Sequence, residues 1–258
     1  MPIDFRDPAN RRTYSGRDAD PSWADAVGRL VDPVGADVVD VGCGGGTYTR
    51  AWHLLGAATV TGVDSSPPIL GAARESHGDL SGVSFRSGDA PDTGLAEACA
   101  DVVFERALIH HVPDLGAAVA EAARLLRPGG FLLIQDRTPG DVAQPGSAEH
   151  PRGWFFEIVP RLLDVENGRR PTVEAVAAAL GAAGLDGGTT ASFWEVRRRY
   201  GDREDYLAEI AARTGRSILH EFDDAELDVL VHGLRERLPA GPVVERDRWT
   251  LWRAAREN

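Results

Sequence analysis

The sequence contains no lysine: all 28 of its basic residues are arginine. That absence removes Schiff-base chemistry, lysine-anchored pyridoxal phosphate and the lysine of a phosphate-binding P-loop. Cysteine is scarce as well. Cys43 and Cys99 are the two present in 258 residues, too few for a disulfide framework or a thiolate metal cage, so a reducing, cytoplasmic setting is expected. Long apolar runs are missing, because charges or glycines interrupt each hydrophobic stretch before about 18 residues, and no membrane span is expected. The opening Met1-Pro2-Ile3-Asp4-Phe5-Arg6 lacks the charged-then-apolar build of a signal peptide. A net charge of −12 makes nucleic-acid phosphates an unsuitable partner. What is present is ordinary for a globular chain, 43% hydrophobic and 26% charged, in a length that suits one large domain with an ample core.

Residues 2 to 20 read as a polar arm, followed by an amphipathic helix over Ser22 to Val31 with Ser22 as its N-cap. An alternation then begins. Strands are predicted at 37–41, 59–64, 83–86, 101–105 and 131–136, with helices at 48–56, 67–77 and 115–126 between them. Several of these strands are nearly continuous in apolar residues, which indicates a mostly parallel sheet covered on both faces. Residues 138 to 151 read as a mobile Pro/Gly-rich loop. Helices follow at 154–164, 173–183, 206–212 and 224–238, interrupted by strand-like pieces near 191–196 and 243–251. The expected architecture is a Rossmann-like, doubly wound, mostly parallel seven-stranded sheet with a helical cap. Its parts would be an arm and helix over 1–34, a cofactor-binding core over 35–138, and a completion of the sheet with the cap over 139–258.

The run Asp40-Val41-Gly42-Cys43-Gly44-Gly45-Gly46 lies between a predicted strand and helix. Glycines there permit a sharp turn and the close approach of a ligand to backbone, next to the free N–H groups that begin a helix. A dinucleotide fingerprint needs a third glycine where this sequence has Thr47. The acids at the strand ends add weight. Asp64 closes the second strand, where a carboxylate can accept both hydroxyls of a ribose. Asp89, just after the third strand, can accept the exocyclic amine of an adenine. Each Asp alone could be a turn or cap residue; in this order they mark a ligand site at the carboxyl ends of strands.

With these motifs the chain resembles the class I S-adenosylmethionine-dependent methyltransferases, in the broad ubiquinone/menaquinone-biosynthesis-like group known as type 11. The resemblance runs from about residue 35 to 136 and continues through Phe104-Glu105-Arg106-Ala107-Leu108-Ile109-His110-His111-Val112-Pro113-Asp114 and Leu126-Arg127-Pro128-Gly129-Gly130. It implies that Gly42, Cys43, Gly44 and Gly46 pass the methionine part of S-adenosylmethionine, with Asp40 organising its ammonium. It further implies that Asp64 and Ser65 hold the ribose, that Asp89 and Ala90 hold the adenine, and that Glu105 and Arg106 lie beside the sulfonium and the acceptor pocket.

Three constellations have competing readings. His110-His111 with Asp114 suggests a metal site, a general base or a structural pair; methyl transfer is catalysed largely by positioning, and a base serves only an acceptor with a proton to lose. Gln135 and Asp136 end the fifth strand and are expected to face the mouth, so His110, His111 and Asp136 are the catalytic candidates and no metal is expected. In the arm, Tyr14 could cover a sulfonium and Arg17 could pair with the cofactor's carboxylate, or the terminus could simply be solvated. Arg197-Arg198-Arg199 reads as a solvated face, Trp154-Phe155-Phe156 as lid or core, and Trp249 and Trp252 as packing on the cap.

The expectation is a cytoplasmic methyltransferase, monomer or homodimer, moving a methyl from S-adenosylmethionine to an oxygen or nitrogen of a small, neutral or cationic molecule. The composition suggests secondary metabolism. The alternatives are a protein that binds S-adenosylmethionine as a sensor or for a non-transfer reaction, and a nicotinamide-dependent oxidoreductase.

Overall fold

The computed structural model describes residues 4–13 and 18–257. Seven strands, β1 (Asp37–Val41), β2 (Thr59–Asp64), β3 (Val83–Ser87), β4 (Ala100–Arg106), β5 (Leu126–Asp136), β6 (Leu185–Tyr200) and β7 (Val243–Arg256), form one sheet in the order β3-β2-β1-β4-β5-β7-β6. β1 to β5 are parallel, and β7 runs antiparallel to both β5 and β6. This is the expected Rossmann-like sheet. The strand order reverses at β1, whose neighbours are β2 and β4, and ligands of open α/β sheets bind outside the carboxyl ends at such a point.

Helices α1 (Pro21–Gly28) and α2 (Thr47–Leu54) cover one face, where Trp23, Val27, Tyr48 and Trp52 meet Val38, Val60, Val102, Phe104 and Leu133. α3 (Pro67–His77) follows β2 on the same face, its Leu70 and Ala73 packing on Phe85, while on the other face α4 (Leu115–Leu125) packs with α8 (Val173–Ala182) against Val39, Val103, Leu132 and Ile134. Successive strand residues thus serve opposite faces, the period of two that a sheet buried on both sides requires. The remaining helices, α5 (Pro139–Val142), α6 (Gly153–Ile158), α7 (Arg161–Arg169), α9 (Arg203–Ala211) and α10 (Asp224–Arg237), share a separate apolar cluster with the outer ends of β6 and β7 at Tyr200 and Val243. The β5–β7 register ends at the pair Asp136–Thr250, whereas β6–β7 pairing continues to Tyr200–Val243. Residues 243–249 therefore project beyond the carboxyl end of β5 and carry their side chains over the ligand end of the sheet.

Several local expectations change. Asp20 caps α1, accepting the Ser22 N–H at 3.0 Å, so Ser22 lies inside the first turn. The helix expected over 154–164 is two helices broken around Pro160, which has no N–H to continue the first. The loop at 138–151 is packed: Thr138 and Asp141 form a capping box, Thr250 donates to Asp141 at 2.6 Å, and the buried His150 bonds the Arg246 carbonyl at 2.8 Å. Asp114 caps α4 through the Ala117 N–H at 3.0 Å, which accounts for it without a metal or base role. Trp252 lies in the main core beside Ile134 rather than on the cap.

Candidate active site

A cavity of about 650 Å³ opens at the carboxyl ends of the strands. Asp40, Gly42, Cys43, Gly44, Asp64, Ser65, Asp89 and Ala90 all line it, as do Arg106, His110 and His111. Three candidates do not: Gly46, Glu105 and Asp136 are absent from the wall. Tyr14 and Arg17 lie outside the described residues.

The turn after β1 has the conformation its glycines were expected to serve. Gly42 sits at φ +72°, and a Cβ there would come within 2.8 Å of Leu108, while Gly46 begins α2 at φ +82°. The Gly44 N–H donates to Asp64 at 2.9 Å, and the Ser66 N–H donates to the other oxygen of that carboxylate at 2.9 Å. Asp40, deeply buried, accepts one bond from Thr49 at 2.6 Å. Burial pushes the Asp40 carboxyl up to about 7, with the Thr49 bond opposing and the charge of Asp64 adding to the rise. Burial also raises Asp64, against the lowering effect of its backbone donors. Such carboxylates gain from a ligand that brings positive charge and hydroxyl donors. Beyond them, Asp89 and Asp92 exchange backbone hydrogen bonds of 3.1 and 3.0 Å, which shape the short turn holding Ala90 against the cavity. Phe5 of the arm also lines the cavity, its carbonyl accepting from Ser66 at 2.6 Å.

Glu105 and Arg106, adjacent on β4, fall on opposite faces. The Arg106 guanidinium lies 4.1 Å from the Tyr48 ring centroid and 4.3 Å from that of Trp249, and pairs with Glu195 at 2.8 Å. Glu195 also binds Tyr48 and accepts from Gln135 at 2.7 Å, while Gln135 accepts from Trp23 at 3.1 Å. Gln135 thus faces a buried network rather than the mouth. Glu105 points the other way, is 1% exposed, and among the described residues neither of its oxygens has a partner. Burial, with the nearby charge of Asp136 adding, raises its carboxyl to about 7.

His110 and His111 stack with ring centroids 3.9 Å apart, and the Phe5 ring meets His111 edge-on at 5.2 Å. His110 Nδ1 lies 2.8 Å from Asp136, which stands behind the imidazole, fully buried, and also receives Arg170 at 2.7 Å. Burial and the Arg170 charge lower His110 to about 4 despite its carboxylate partner; burial and His110 itself lower His111 to about 3. Both imidazoles are therefore neutral near pH 7. A neutral His110 donating Nδ1–H to Asp136 keeps Nε2 as a proton acceptor.

Sequence reasoning missed the far end of the cavity, which Arg137, Arg152, Arg170, Arg197 and Arg216 line together with Asp247 and Trp249. Arg137 directly follows the β5 end, so the strand-end rule that found Asp64 could have found it. Arg197 belongs to the run read as a solvated face: its side chain is 9% exposed, against 43% for Arg198 and 63% for Arg199. The other partners are distant in sequence and left no local signal.

Residues 39–134 match the family model described as a methyltransferase domain. The ubiquinone biosynthesis O-methyltransferase of Xanthomonas oryzae is 38% identical over 128 residues, covering 48% of this chain and 53% of that one. A malonyl-[acyl-carrier protein] O-methyltransferase of Serratia marcescens is 32% identical over 114 residues, covering 44% and 43% respectively. The chain thus spans about half the length of the curated relatives it matches. Among solved structures, an S-adenosylmethionine-dependent methyltransferase of Mesorhizobium loti superposes with a TM-score of 0.54 at 21% identity, covering 92% of this chain and 98% of that one. Fold and site together define an open α/β domain with an acidic ligand pocket at the switch point. Residues 39–134 are thus similar to a methyltransferase domain, and the sheet that carries them has the fold of such domains.

Proposed function

We propose that this protein transfers a methyl group from S-adenosylmethionine to an oxygen or nitrogen of a small-molecule acceptor. The observation that carries the reading is the acid end of the cavity, where the buried Asp40 and the half-buried Asp64 stand on either side of a left-handed glycine turn. In this reading Asp64, with Ser65, holds the ribose; Asp89 and Ala90 hold the adenine; and Asp40, with the Gly42–Gly44 backbone, receives the methionine part and its ammonium. Bound there, S-adenosylmethionine supplies a methyl carbon activated by a positive sulfonium. The chain's own part is to align the acceptor, exclude water and take a proton where the acceptor has one to lose.

His110 is the group suited to that proton. Asp136 fixes its tautomer from behind as a positioning residue, and the free Nε2 is the accepting atom. Residues 35–138 serve as the cofactor half and 139–258 as the acceptor half, with the 1–34 arm contributing Phe5 to the wall. Tyr14 and Arg17 remain candidates for the same arm. Among the described residues no helix is long and apolar enough to cross a membrane, which accords with an acceptor taken from solution in the cytoplasm.

The test is product analysis. The purified chain is incubated with S-adenosylmethionine and a panel of small hydroxylated, aminated and carboxylated acceptors, and S-adenosylhomocysteine and methylated product are followed by mass spectrometry. Release of both in equal amounts supports transfer; cofactor that binds yet stays intact across the panel favours a sensor or non-transfer protein.

A further inference from the structure

The cavity carries opposite charge at its two ends. Asp40, Asp64, Asp89 and Asp92 line one end; Arg137, Arg152, Arg170, Arg197 and Arg216 line the other, with Asp247 the sole carboxylate beside them among the residues described on that wall. The other carboxylates that balance these arginines stand behind them and do not line the cavity. Glu166 meets Arg152 at 3.1 Å and Arg170 at 2.8 Å, and Asp136 meets Arg170 at 2.7 Å. Glu245 meets Arg197 at 3.0 Å and also pairs with Arg216, which Glu209 meets at 3.0 Å. A purely structural ion-pair network has no need to turn its guanidinium groups toward the open space and its carboxylates away.

Two of these arginines are also incompletely matched. Arg137 and Arg152 share Asp247, Arg137 in close contact and Arg152 at 3.8 Å. Arg137 is 4% exposed and Arg152 7%, and the Nε–H of each is buried without an acceptor among the described residues. Burial, with the neighbouring Arg152 adding and Asp247 opposing, lowers Arg137 to about 9. Burial lowers Arg152 too. Buried donors of this kind are normally satisfied, and planar guanidinium forks match the oxygens of carboxylates and phosphates. Trp249, with Arg106 at 4.3 Å and Arg137 at 4.6 Å from its ring centroid, supplies an apolar surface between the two ends.

We propose that the arginine end binds an oxyanion of the methyl acceptor, a carboxylate or a phosphate, with Arg137 and Arg152 as its principal contacts and Arg197 and Arg216 closing the site. The acceptor is an anionic small molecule. The inference rests on the methyltransferase reading for the word acceptor, but the anion site itself does not depend on it. It also revises the expectation of a neutral or cationic acceptor, which followed from the net charge of −12; net charge carries no information about one buried wall. Opposite charges at the two ends would hold a cationic cofactor and an anionic acceptor in a fixed order along the cavity.

The test titrates the full chain with sodium benzoate, inorganic phosphate and, as the neutral isostere, benzamide, by calorimetry at low ionic strength. S-adenosylhomocysteine is titrated separately. Benzoate or phosphate should bind at least about tenfold more tightly than benzamide, and the tighter of the two identifies the handle. Arg152→Gln should weaken the anion about tenfold or more, Arg152→Lys should restore part of the loss, and S-adenosylhomocysteine affinity should stay within about twofold in both. Benzamide binding as well as the anions, or neither anion binding to the wild type, overturns the proposal even if no variant folds. Anion binding unchanged in a folded Arg152→Gln overturns it as well. Failure of S-adenosylhomocysteine alone to bind defeats the methyltransferase reading and leaves the anion result standing.

Discussion

Replacing Glu105 by Gln tests the electrostatics of the core. The side chain is 1% exposed and neither oxygen has a partner among the described residues, and its carboxyl is raised from 4.5 to about 7 by burial, with Asp136 adding to the rise. Below pH 4.5 the group is protonated whether the chain is folded or not. Between 4.5 and 7 the folded chain keeps a proton that the unfolded chain has released, so stability owed to this residue falls as pH rises and is fully lost above about 7. A shift of this size corresponds to about 3 kcal/mol. Glutamine cannot ionise. The stability of Glu105→Gln relative to wild type should therefore improve by about 2.5 kcal/mol between pH 5 and pH 8.5, a change of roughly 5–10 °C in relative Tm for a chain of this size. Comparing the variant with wild type cancels the parallel loss from Asp40. Urea unfolding of both proteins at both pH values is the assay. Identical pH dependence in the two proteins would refute the reasoning, and would mean that water or a donor reaches Glu105.

Other outcomes follow from the same structure. His110→Asn should slow turnover of a protic acceptor about 10²-fold or more with little change in cofactor affinity, and wild-type kcat should be flat near neutrality and fall as pH drops toward the His110 value of about 4; full turnover in His110→Asn removes it from the mechanism. The two lowered histidines also stabilise the fold above pH 6.5, and that contribution should be lost as pH falls from 6.5 toward 4, read as a declining Tm. Gly42→Ala meets both φ +72° and the 2.8 Å approach of Leu108, so it should cost about 1–3 kcal/mol in unfolding experiments and weaken cofactor binding. Glu195→Ala removes the carboxylate shared by Arg106, Tyr48 and Gln135 and should cost about 3–5 kcal/mol, since it leaves Arg106 buried without its counter-ion.

The first half of the fold was legible because its signals are local. Val38, Val39 and Val41 make an apolar strand broken only by Asp40, glycines end it, and Asp64 closes the next strand at the same end of the sheet. The acid end of the site followed from those short spacings. β6 and β7 were seen only in part: 191–196 and 243–251 read as strand, but 185–190 carries two glycines and 197–199 is an arginine run that resembles a solvated face. The buried charges around them are paired across the structure: Arg197 and Arg216 with Glu245, Arg137 with Asp247, Arg152 with Glu166. No periodicity encodes such pairing. Asp136 and Gln135 were placed correctly at the end of β5, yet distant partners turn both away from the mouth, Asp136 onto Arg170 beside the cap and Gln135 onto Glu195 of β6 and Trp23 of α1.

The central claim is that Asp40, Asp64 and Asp89 surround the S-adenosylmethionine site. Calorimetric titration of the wild type and of Asp64→Ala with S-adenosylmethionine, S-adenosylhomocysteine and NAD tests it most directly. The account predicts roughly micromolar binding of the first two, no binding of NAD, and loss of at least about tenfold in affinity in a folded Asp64→Ala. Binding of NAD alone, or cofactor affinity unchanged in the folded variant, would contradict it.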